Sequence, residues 1–209
     1  TDILKELDEA SAALDPAKPK ISGEILYGGD VTKWKRLGYS LLMRAAMRLS
    51  KVAPATSQTY VAKAVAGGMM QSNADNAKLL RSSEYMNPIG SEISGNEKAN
   101  YYAQKFFVEH LRATNDPRMG SWLHRYPGAL TATAQTTAIR TKDPALAKGM
   151  PLGYNDVTIV STYAAEGVVS FYDYSQFDWL VVFTNQSPQW YCTYSQTQLL
   201  LAEAIVRVW

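Results

Sequence analysis

The chain has 209 residues, of which 46% are hydrophobic, so it is long and apolar enough to bury the core of a sizeable domain. Its 21 basic and 19 acidic residues leave a net charge of +2, which argues against nucleic acid as the main partner because phosphate binding needs clustered positive charge. No apolar run approaches the roughly 20 residues of a membrane span, and no secretory signal is recognisable.

The first part of the chain is typical of paired helices. Residues 1–15 form an amphipathic pattern that stops at Asp15-Pro16, and a Pro- and Gly-rich loop then leads to Asp30. Asp30 or Thr32 is placed to cap the next helix. The apolar stripe of that helix has helical spacing and consists of Trp34, Leu37, Leu41, Ala45 and Leu49, widened by Leu42, Met43 and Ala46.

Two arginines flank this stripe one turn apart. Arg44 and Arg48 are predicted to be structural, pairing with carboxylates or capping backbone carbonyls, as Trp34 and Leu37 are predicted to be structural on the apolar side. Pro54 starts a following helix that ends at Gly67-Gly68, so the two helices form a predicted αα-hairpin. The Trp34-x-x-Leu37-Gly38-x-x-Leu41 pattern partly matches the first helix of a tetratricopeptide repeat.

The remaining elements alternate between helices and long irregular stretches. The pattern predicts a loop over 71–97, a helix over about 97–113 and a final helix over Tyr194–Trp209. Residues 125–195 show no convincing long helix, and their apolar run Leu180–Phe183 fits either a strand or a core segment. The predicted fold class is therefore all-α, with tetratricopeptide-like helical hairpins and long irregular loops.

Catalytic and metal-binding patterns are missing from the sequence. The lone Cys192 and the two histidines, His110 and His124, favour neither a metal site nor a cofactor, and His124 is interpreted as a packed loop histidine. A glycosidase would need two carboxylates about 5–10 Å apart, and the spacing gives no reason to pair any two of the acids in the irregular region. Those acids are Asp156, Glu166, Asp173 and Asp178. The sequence therefore predicts no enzyme.

The irregular region is rich in aromatic residues, and the chain as a whole contains 13 tyrosines and 5 tryptophans. Aromatic faces stack on the C–H faces of sugar rings, and neighbouring amides and carboxylates bond the hydroxyls, so this composition favours a neutral glycan. The candidate stacking residues are Tyr154, Tyr172, Tyr174, Trp179 and Trp190, and the candidate hydroxyl partners are Asn155, Asp173 and Gln176. Phe171, Phe177 and Phe183 are expected instead to anchor the loops.

Four sequence motifs follow one another along the chain. The first runs from Gly29-Asp30-x-x-Lys33-Trp34 through Leu41-x-x-Arg44-x-Ala46-Met47-Arg48 into the helix that ends at Gly67-Gly68. The others are Asp116-Pro117-Arg118, Gly149-x-Pro151-x-Gly153 and the segment from Thr193 to Ala204. They are spread over nearly the whole chain, from Gly29 to Ala204, and their order resembles the SusD-like family of surface glycan-binding lipoproteins.

The resemblance implies a single helical domain over 1–209, a fragment of a longer protein, with a loop-rich aromatic insertion at 125–193. It implies a non-catalytic protein that captures oligosaccharides on the outer membrane of a Gram-negative bacterium. The implied partner is a SusC-like TonB-dependent transporter, and the implied membrane contact is a lipid anchor outside this chain. The alternative is a helical-repeat scaffold or transporter lid that binds protein and has no glycan affinity of its own.

Overall fold

The structure is a computed structural model that describes residues 2–95, 97–207 and 209. The chain divides into two compact units, one formed by the segments up to Leu80 and from Pro188 onward, the other by Arg81–Ser187. The single domain over 1–209 with an insertion at 125–193 stays a prediction.

Within the described residues there are eight α-helices and four short strands. The helices are α1 (Asp2–Ala13), α2 (Val31–Met47), α3 (Pro54–Gly67), α4 (Pro88–Ser94), α5 (Lys105–Ala113), α6 (Met119–Trp122), α7 (Tyr163–Glu166) and α8 (Tyr194–Val206). The strands are β1 (Ala77–Leu79), β2 (Leu123–His124), β3 (Gln176–Phe177) and β4 (Gln189–Cys192). The predominance of helices confirms the predicted all-α class. Among the described helices, none combines the length and apolar character needed to cross a lipid bilayer.

The hairpin of α2 and α3 forms as the sequence predicts. The Asp30 carboxylate accepts a hydrogen bond from the Lys33 amide at 3.1 Å and caps the first turn of α2, so Asp30 rather than Thr32 is the cap. Pro54 starts α3, and Gly68 ends it with a φ of 87°, a left-handed conformation that glycine adopts without strain.

Helix α2 lies at the centre of the first unit, in contact with α1, α3 and α8. Because neighbours cover several of its sides, the buried face is wider than one stripe and is centred on Leu42, Met43 and Ala46. Trp34, at the edge of that face, is only half-buried. The Ser57 hydroxyl of α3 donates to the Ala46 carbonyl at 2.7 Å, which satisfies a polar group inside this core.

Strands β1 and β4 form an antiparallel ribbon in the first unit, with Lys78 opposite Trp190. The predicted last helix is observed as α8, which Thr193 caps by accepting from the Gln196 amide. It ends at Val206, whereas the prediction continued to Trp209 across Val208, which lies outside the described residues.

The second unit corrects the predicted helix over 97–113. Helix α5 starts only at Lys105, because the backbone amides of Ala103 and Lys105 donate to Ser175 and Met150 at 2.8 and 2.9 Å. Donors that pair with distant carbonyls are not available to a helix turn. Residues 97–99 form a turn, and residues 101–104 are non-helical up to the start of α5.

Two further segments of the second unit differ from their prediction. The stretch predicted as loop over 71–97 contains α4, whose start is fixed by Asn87 as cap and Pro88 as first residue. Leu180–Phe183 is neither a strand nor a core segment but a turn, in which the amides of Val181 and Val182 donate to the Asp178 carbonyl at 2.9 and 2.7 Å. Leu180 and Val181 are exposed.

Candidate functional site

A surface depression of about 270 Å³ brings together several aromatic and amide side chains of the second unit. We call it the Tyr154 depression. Its lining residues are Asn100, Tyr102, Met150, Tyr154, Asn155, Asp156, Ile159 and Phe171. Two of the predicted ligand residues, Tyr154 and Asn155, are exposed here, and the Tyr154 side chain is 47% accessible.

The walls of the Tyr154 depression are held by local hydrogen bonds. The Asn155 side-chain oxygen accepts from the amides of Val157 and Thr158 at 3.1 and 2.9 Å, which fixes the loop in an Asx-type turn. On the other side, Tyr102 packs edge-on against Phe171 with ring centroids 6.0 Å apart. Because these bonds use only the side-chain oxygen of Asn155, its side-chain nitrogen is available to bond a ligand hydroxyl.

Tyr174, predicted as a stacking residue, is corrected to a core residue. Its side chain is fully buried and packs with Ile159 and Val168 in the cluster that Tyr102 and Phe171 border. The hydroxyl bonds the Thr162 hydroxyl at 3.1 Å, and burial raises the pKa of Tyr174 above its ordinary value. Tyr174 therefore supports the floor of the depression and presents no face to a ligand.

Asp173, predicted to bond sugar hydroxyls, is corrected to a buried structural carboxylate. It lies 2.9 Å from Arg125 and accepts from the amides of Gly128 and Val169 at 3.0 Å each. Arg125 in turn donates to the carbonyl of Leu146 at 2.8 Å. Every oxygen of Asp173 is thus engaged within the protein, and the pair joins three loops.

Gln176 and Tyr172 are also placed differently from their prediction. Gln176 is buried on β3, opposite His124 of β2, and its amide nitrogen donates to the Lys98 carbonyl at 2.6 Å. This corrects Gln176 to an anchor for the segment around Lys98. Tyr172 is half-buried with its ring 3.9 Å from that of Phe171, so it borders the aromatic group without lining the depression.

Trp179 lies in a second depression of the same unit, about 350 Å³ in volume. We call it the Trp179 depression. It is lined by Ser94, Trp179, Leu180, Thr184, Asn185 and Gln186. An indole face beside two amides and two hydroxyls is a suitable environment for an uncharged, hydroxyl-rich ligand.

The loop that forms the Trp179 depression is fixed on helix α4. The Asn87 amide nitrogen donates to the Ser187 carbonyl at 3.0 Å, and the Asn87 backbone amide donates to the Asn185 carbonyl at 2.7 Å. Gly90 approaches this loop so closely that a Cβ would lie 2.5 Å from the Thr184 carbonyl oxygen. Phe183 packs edge-on against Phe177, as expected of anchoring residues.

Trp190 is separate from the other predicted stacking residues because it belongs to β4 of the first unit. Its side chain is 47% accessible, and the Lys78 ammonium lies over its ring at 5.3 Å. The structure therefore groups Tyr154 with Asn155, puts Trp179 in its own depression, and assigns Trp190 to the other unit.

The predicted structural residues of α2 have definable contacts in the first unit. Leu37 is buried beside Met70, while Trp34 meets Tyr27 edge-on with ring centroids 5.6 Å apart. Arg44 donates to the Tyr191 carbonyl of β4 at 2.9 Å. Arg48 is exposed.

The acids that sequence reasoning weighed as possible catalysts are mostly paired with cations. Glu166 lies 2.6 Å from Lys105, and the fully buried Asp178 pairs with Arg140 at 2.8 Å and with Lys142. Burial raises the pKa of Asp178, but the hydrogen bond from Lys142 and the charge of Arg140 outweigh it and leave that pKa below its usual value. Asp156 alone among the four is exposed.

His124 is packed among these charges, as predicted for it. Burial is the main cause that lowers its pKa to about 4, and the positive charge of Arg140 acts in the same direction. A buried, neutral imidazole next to two cations is a poor general base. Within the part of the chain that the structure describes, no three His, Cys, Asp or Glu side chains are grouped to hold a metal ion.

Sequence reasoning missed several residues of the two depressions. Asn100 and Tyr102 fell inside the helix predicted over 97–113, so no surface role was considered for them. Their signal is weak, since Asn100 and the two adjacent tyrosines resemble many helix starts. Gln186 had no distinguishing pattern at all.

Solved structures share this fold over essentially the whole chain. A chitin-binding protein matches with a TM-score of 0.76 and 24% identity, covering 100% of this chain and 43% of its own. A SusD-like protein of Bacteroidetes matches with a TM-score of 0.72 and 22% identity, covering 100% of this chain and 49% of its own. A SusD homologue from Bacteroides fragilis matches with a TM-score of 0.71 and 26% identity, covering 100% of this chain and 44% of its own. The chain thus spans less than half the length of each of these structures.

These matches define the class as tetratricopeptide-like helical proteins of the SusD type. The SusD-like family model described as "Starch-binding associating with outer membrane" matches residues 1–209, and the chain therefore belongs to the SusD-like family. Among curated proteins, none matches this chain.

Proposed function

We propose that this protein is a non-catalytic, cell-surface glycan-binding protein that captures oligosaccharides for uptake. The observation that carries the proposal is the Tyr154 depression, in which aromatic rings and amides meet on the surface of a chain of this family. The family description names starch, and the name of one similar structure names chitin, so oligosaccharides of these two polymers are the first ligands to test.

The chemistry of the depression fits a neutral glycan. Tyr154 offers an exposed ring face for stacking, while Asn100 and Asn155 offer amide groups to the sugar hydroxyls. Among its described lining residues there is one carboxylate, Asp156, and no Lys or Arg. A uronic or sulfated sugar would therefore meet a like charge with no cation to offset it.

The absence of a catalytic role is supported by the state of the acids. Asp173 and Asp178 are buried against cations, and Glu166 is paired with Lys105. Carboxylates held in this way neither protonate a glycosidic oxygen nor approach a sugar carbon. Binding without cleavage is the function that this arrangement supports.

We further propose, from the family membership, that the captured glycan passes to a SusC-like TonB-dependent transporter. The protein would then act at the surface of the outer membrane of a Gram-negative bacterium, attached by a lipid anchor outside this chain. Reconstitution with the transporter tests this part, because glycan uptake by the transporter should increase when the protein is added.

Titration calorimetry with neutral starch and chitin oligosaccharides tests glycan binding. Tyr154→Ala should weaken binding about two- to tenfold, since an aromatic stacking contact is worth about 0.5–1.5 kcal/mol. Tyr85→Ala is the matched control, because Tyr85 is an exposed tyrosine of the same unit that lines neither depression. Acidic oligosaccharides should bind less well than neutral ones, and no reducing ends should be released. Absence of binding to every glycan tested would contradict the proposal and favour a protein-binding scaffold.

A further inference from the structure

The two depressions of the second unit lie at the ends of one short stretch of chain. Ser94, the last residue of α4, lines the Trp179 depression, and Asn100 lines the Tyr154 depression. The backbone between these two residues can span at most about 20 Å even when fully extended. The depressions are therefore close enough for one oligosaccharide of several sugar units to reach both.

The stretch between the depressions is tied to the body of the unit. The Lys98 carbonyl accepts from the buried Gln176 amide at 2.6 Å, and the Tyr102 hydroxyl donates to the Ala99 carbonyl at 2.5 Å. The Ala103 amide donates to Ser175 at 2.8 Å. These contacts hold the stretch in place from Lys98 onward, beside the Tyr154 depression, before any ligand arrives, so little entropy is lost in ordering that part of the site.

The two depressions also have the same chemical character. Each has an aromatic ring next to amides, Trp179 with Asn185 and Gln186 in one, Tyr154 with Asn155 in the other. Among the described residues that line them, neither contains a lysine or an arginine. Two nearby sites with the same preference can be occupied by different units of the same polymer.

We propose that the Trp179 and Tyr154 depressions are two subsites of one extended glycan site, so that the protein selects its ligand by chain length. This inference rests on the proposed function and specifies its ligand as a long neutral oligosaccharide. Once one end of the glycan is bound, the other end meets the second subsite at a high effective concentration, which raises affinity without any new contact within either subsite.

The test measures affinity by calorimetry along a ladder of starch or chitin oligosaccharides, from one sugar unit upward, with the 209-residue chain. Affinity should rise by about tenfold or more at the length that first reaches both depressions. Trp179→Ala and, as a second variant at an exposed residue, Gln186→Ala should remove that rise, so that long ligands bind about as weakly as short ones. Tyr85→Ala, at an exposed aromatic residue of the same unit that lines neither depression, is the control and should leave the whole ladder unchanged.

Two results would overturn the inference while leaving the proposed function intact. One is an affinity that does not change with chain length. The other is a uniform response of the Trp179→Ala and Gln186→Ala variants: these variants either lose the same affinity for short and long ligands or lose none at any length. If no member of either ladder binds, the proposed function itself is wrong and the inference is overturned with it.

Discussion

The guanidinium of Arg125 lies 2.9 Å from the carboxylate of Asp173, and both side chains are almost completely buried. Arg125 also donates to the Asp173 carbonyl at 2.7 Å and to the Leu146 carbonyl at 2.8 Å. A single arginine thus connects the loops around Leu146 and Asp173 to β2. This pair, together with Tyr174, holds in place the irregular region that carries both depressions.

Removing one partner of this pair should destabilise the protein strongly. In Asp173→Ala the Arg125 charge stays buried without its counter-ion, which typically costs about 3–5 kcal/mol in the free energy of unfolding. Denaturant unfolding followed by fluorescence measures the loss. Asp156→Ala, at an exposed carboxylate, is the control and should change the free energy by no more than about 0.5 kcal/mol. Equal stability of the two variants would mean that Arg125 is solvated.

Tyr174 should affect stability through its ring much more than through its hydroxyl. Tyr174→Ala leaves a large cavity beside Ile159 and Val168 and should cost about 3–5 kcal/mol. Tyr174→Phe removes only the contact with the Thr162 hydroxyl and should cost about 1 kcal/mol. Thermal or denaturant unfolding distinguishes the two. A stable Tyr174→Ala variant with impaired glycan binding would instead restore Tyr174 to the ligand site.

Stability should decrease as the pH falls below about 6.5. The pKa of His124 is about 4 in the folded protein and about 6.5 when unfolded, so the unfolded chain binds more protons between these values. The His124 contribution is complete above pH 6.5 and is lost progressively toward pH 4, to a total of about 3 kcal/mol. The lowered pKa of Asp178 extends the loss to lower pH in the same direction.

Denaturant unfolding at several pH values checks this window. His124→Gln removes the titrating group and should flatten the dependence between pH 6.5 and 4, while the loss below pH 4 remains. An unchanged slope in this variant would assign the dependence to other groups.

Arg44, in the last turn of α2, and Arg48, which directly follows the helix, should differ in their effect on stability. Arg44→Met removes a charged donor from the Tyr191 carbonyl and should cost about 1 kcal/mol, discounted for its partial exposure. Arg48→Met, at an exposed position, should stay within about 0.5 kcal/mol. Neither should change glycan affinity, because both residues lie outside the two depressions. Calorimetry of unfolding and of binding on the same samples measures both effects. A loss of affinity without a loss of stability would place α2 in the binding site.

Local sequence signals predicted the helices of the first unit well because these elements are determined by neighbouring residues, whereas the ribbon of β1 and β4 was not predicted. The Asp30 cap, the start of α3 at Pro54 and its end at Gly67-Gly68 depend on side chains and backbone preferences within one turn. The apolar spacing of α2 then identified the side that packs against other helices. The structure was needed to decide between Asp30 and Thr32 as its cap and to show its buried width, which depends on how many helices surround it.

In the second unit the same reasoning was less successful. The sequence identified an aromatic, amide-rich region, but it could not separate Tyr154, which is exposed, from Tyr174, which is fully buried. In irregular loops no repeat of 2.0 or 3.6 residues fixes which way a side chain points. The start of α5 was misplaced for a related reason, since its backbone donors pair with Met150 and Ser175, far away in sequence.

The sequence by itself thus determined the helical class, the α2–α3 hairpin and the family, because caps, periodicity and ordered motifs are local properties of the chain. Only the tertiary structure decided which aromatic residues face solvent, that Asp173 and Gln176 support the site from inside, and that the segment around Lys98 lies between two depressions. These features depend on hydrogen bonds and ion pairs between residues distant in sequence, such as Gln176 with Lys98 and Arg125 with Asp173. Such pairings leave no local pattern from which they could be predicted.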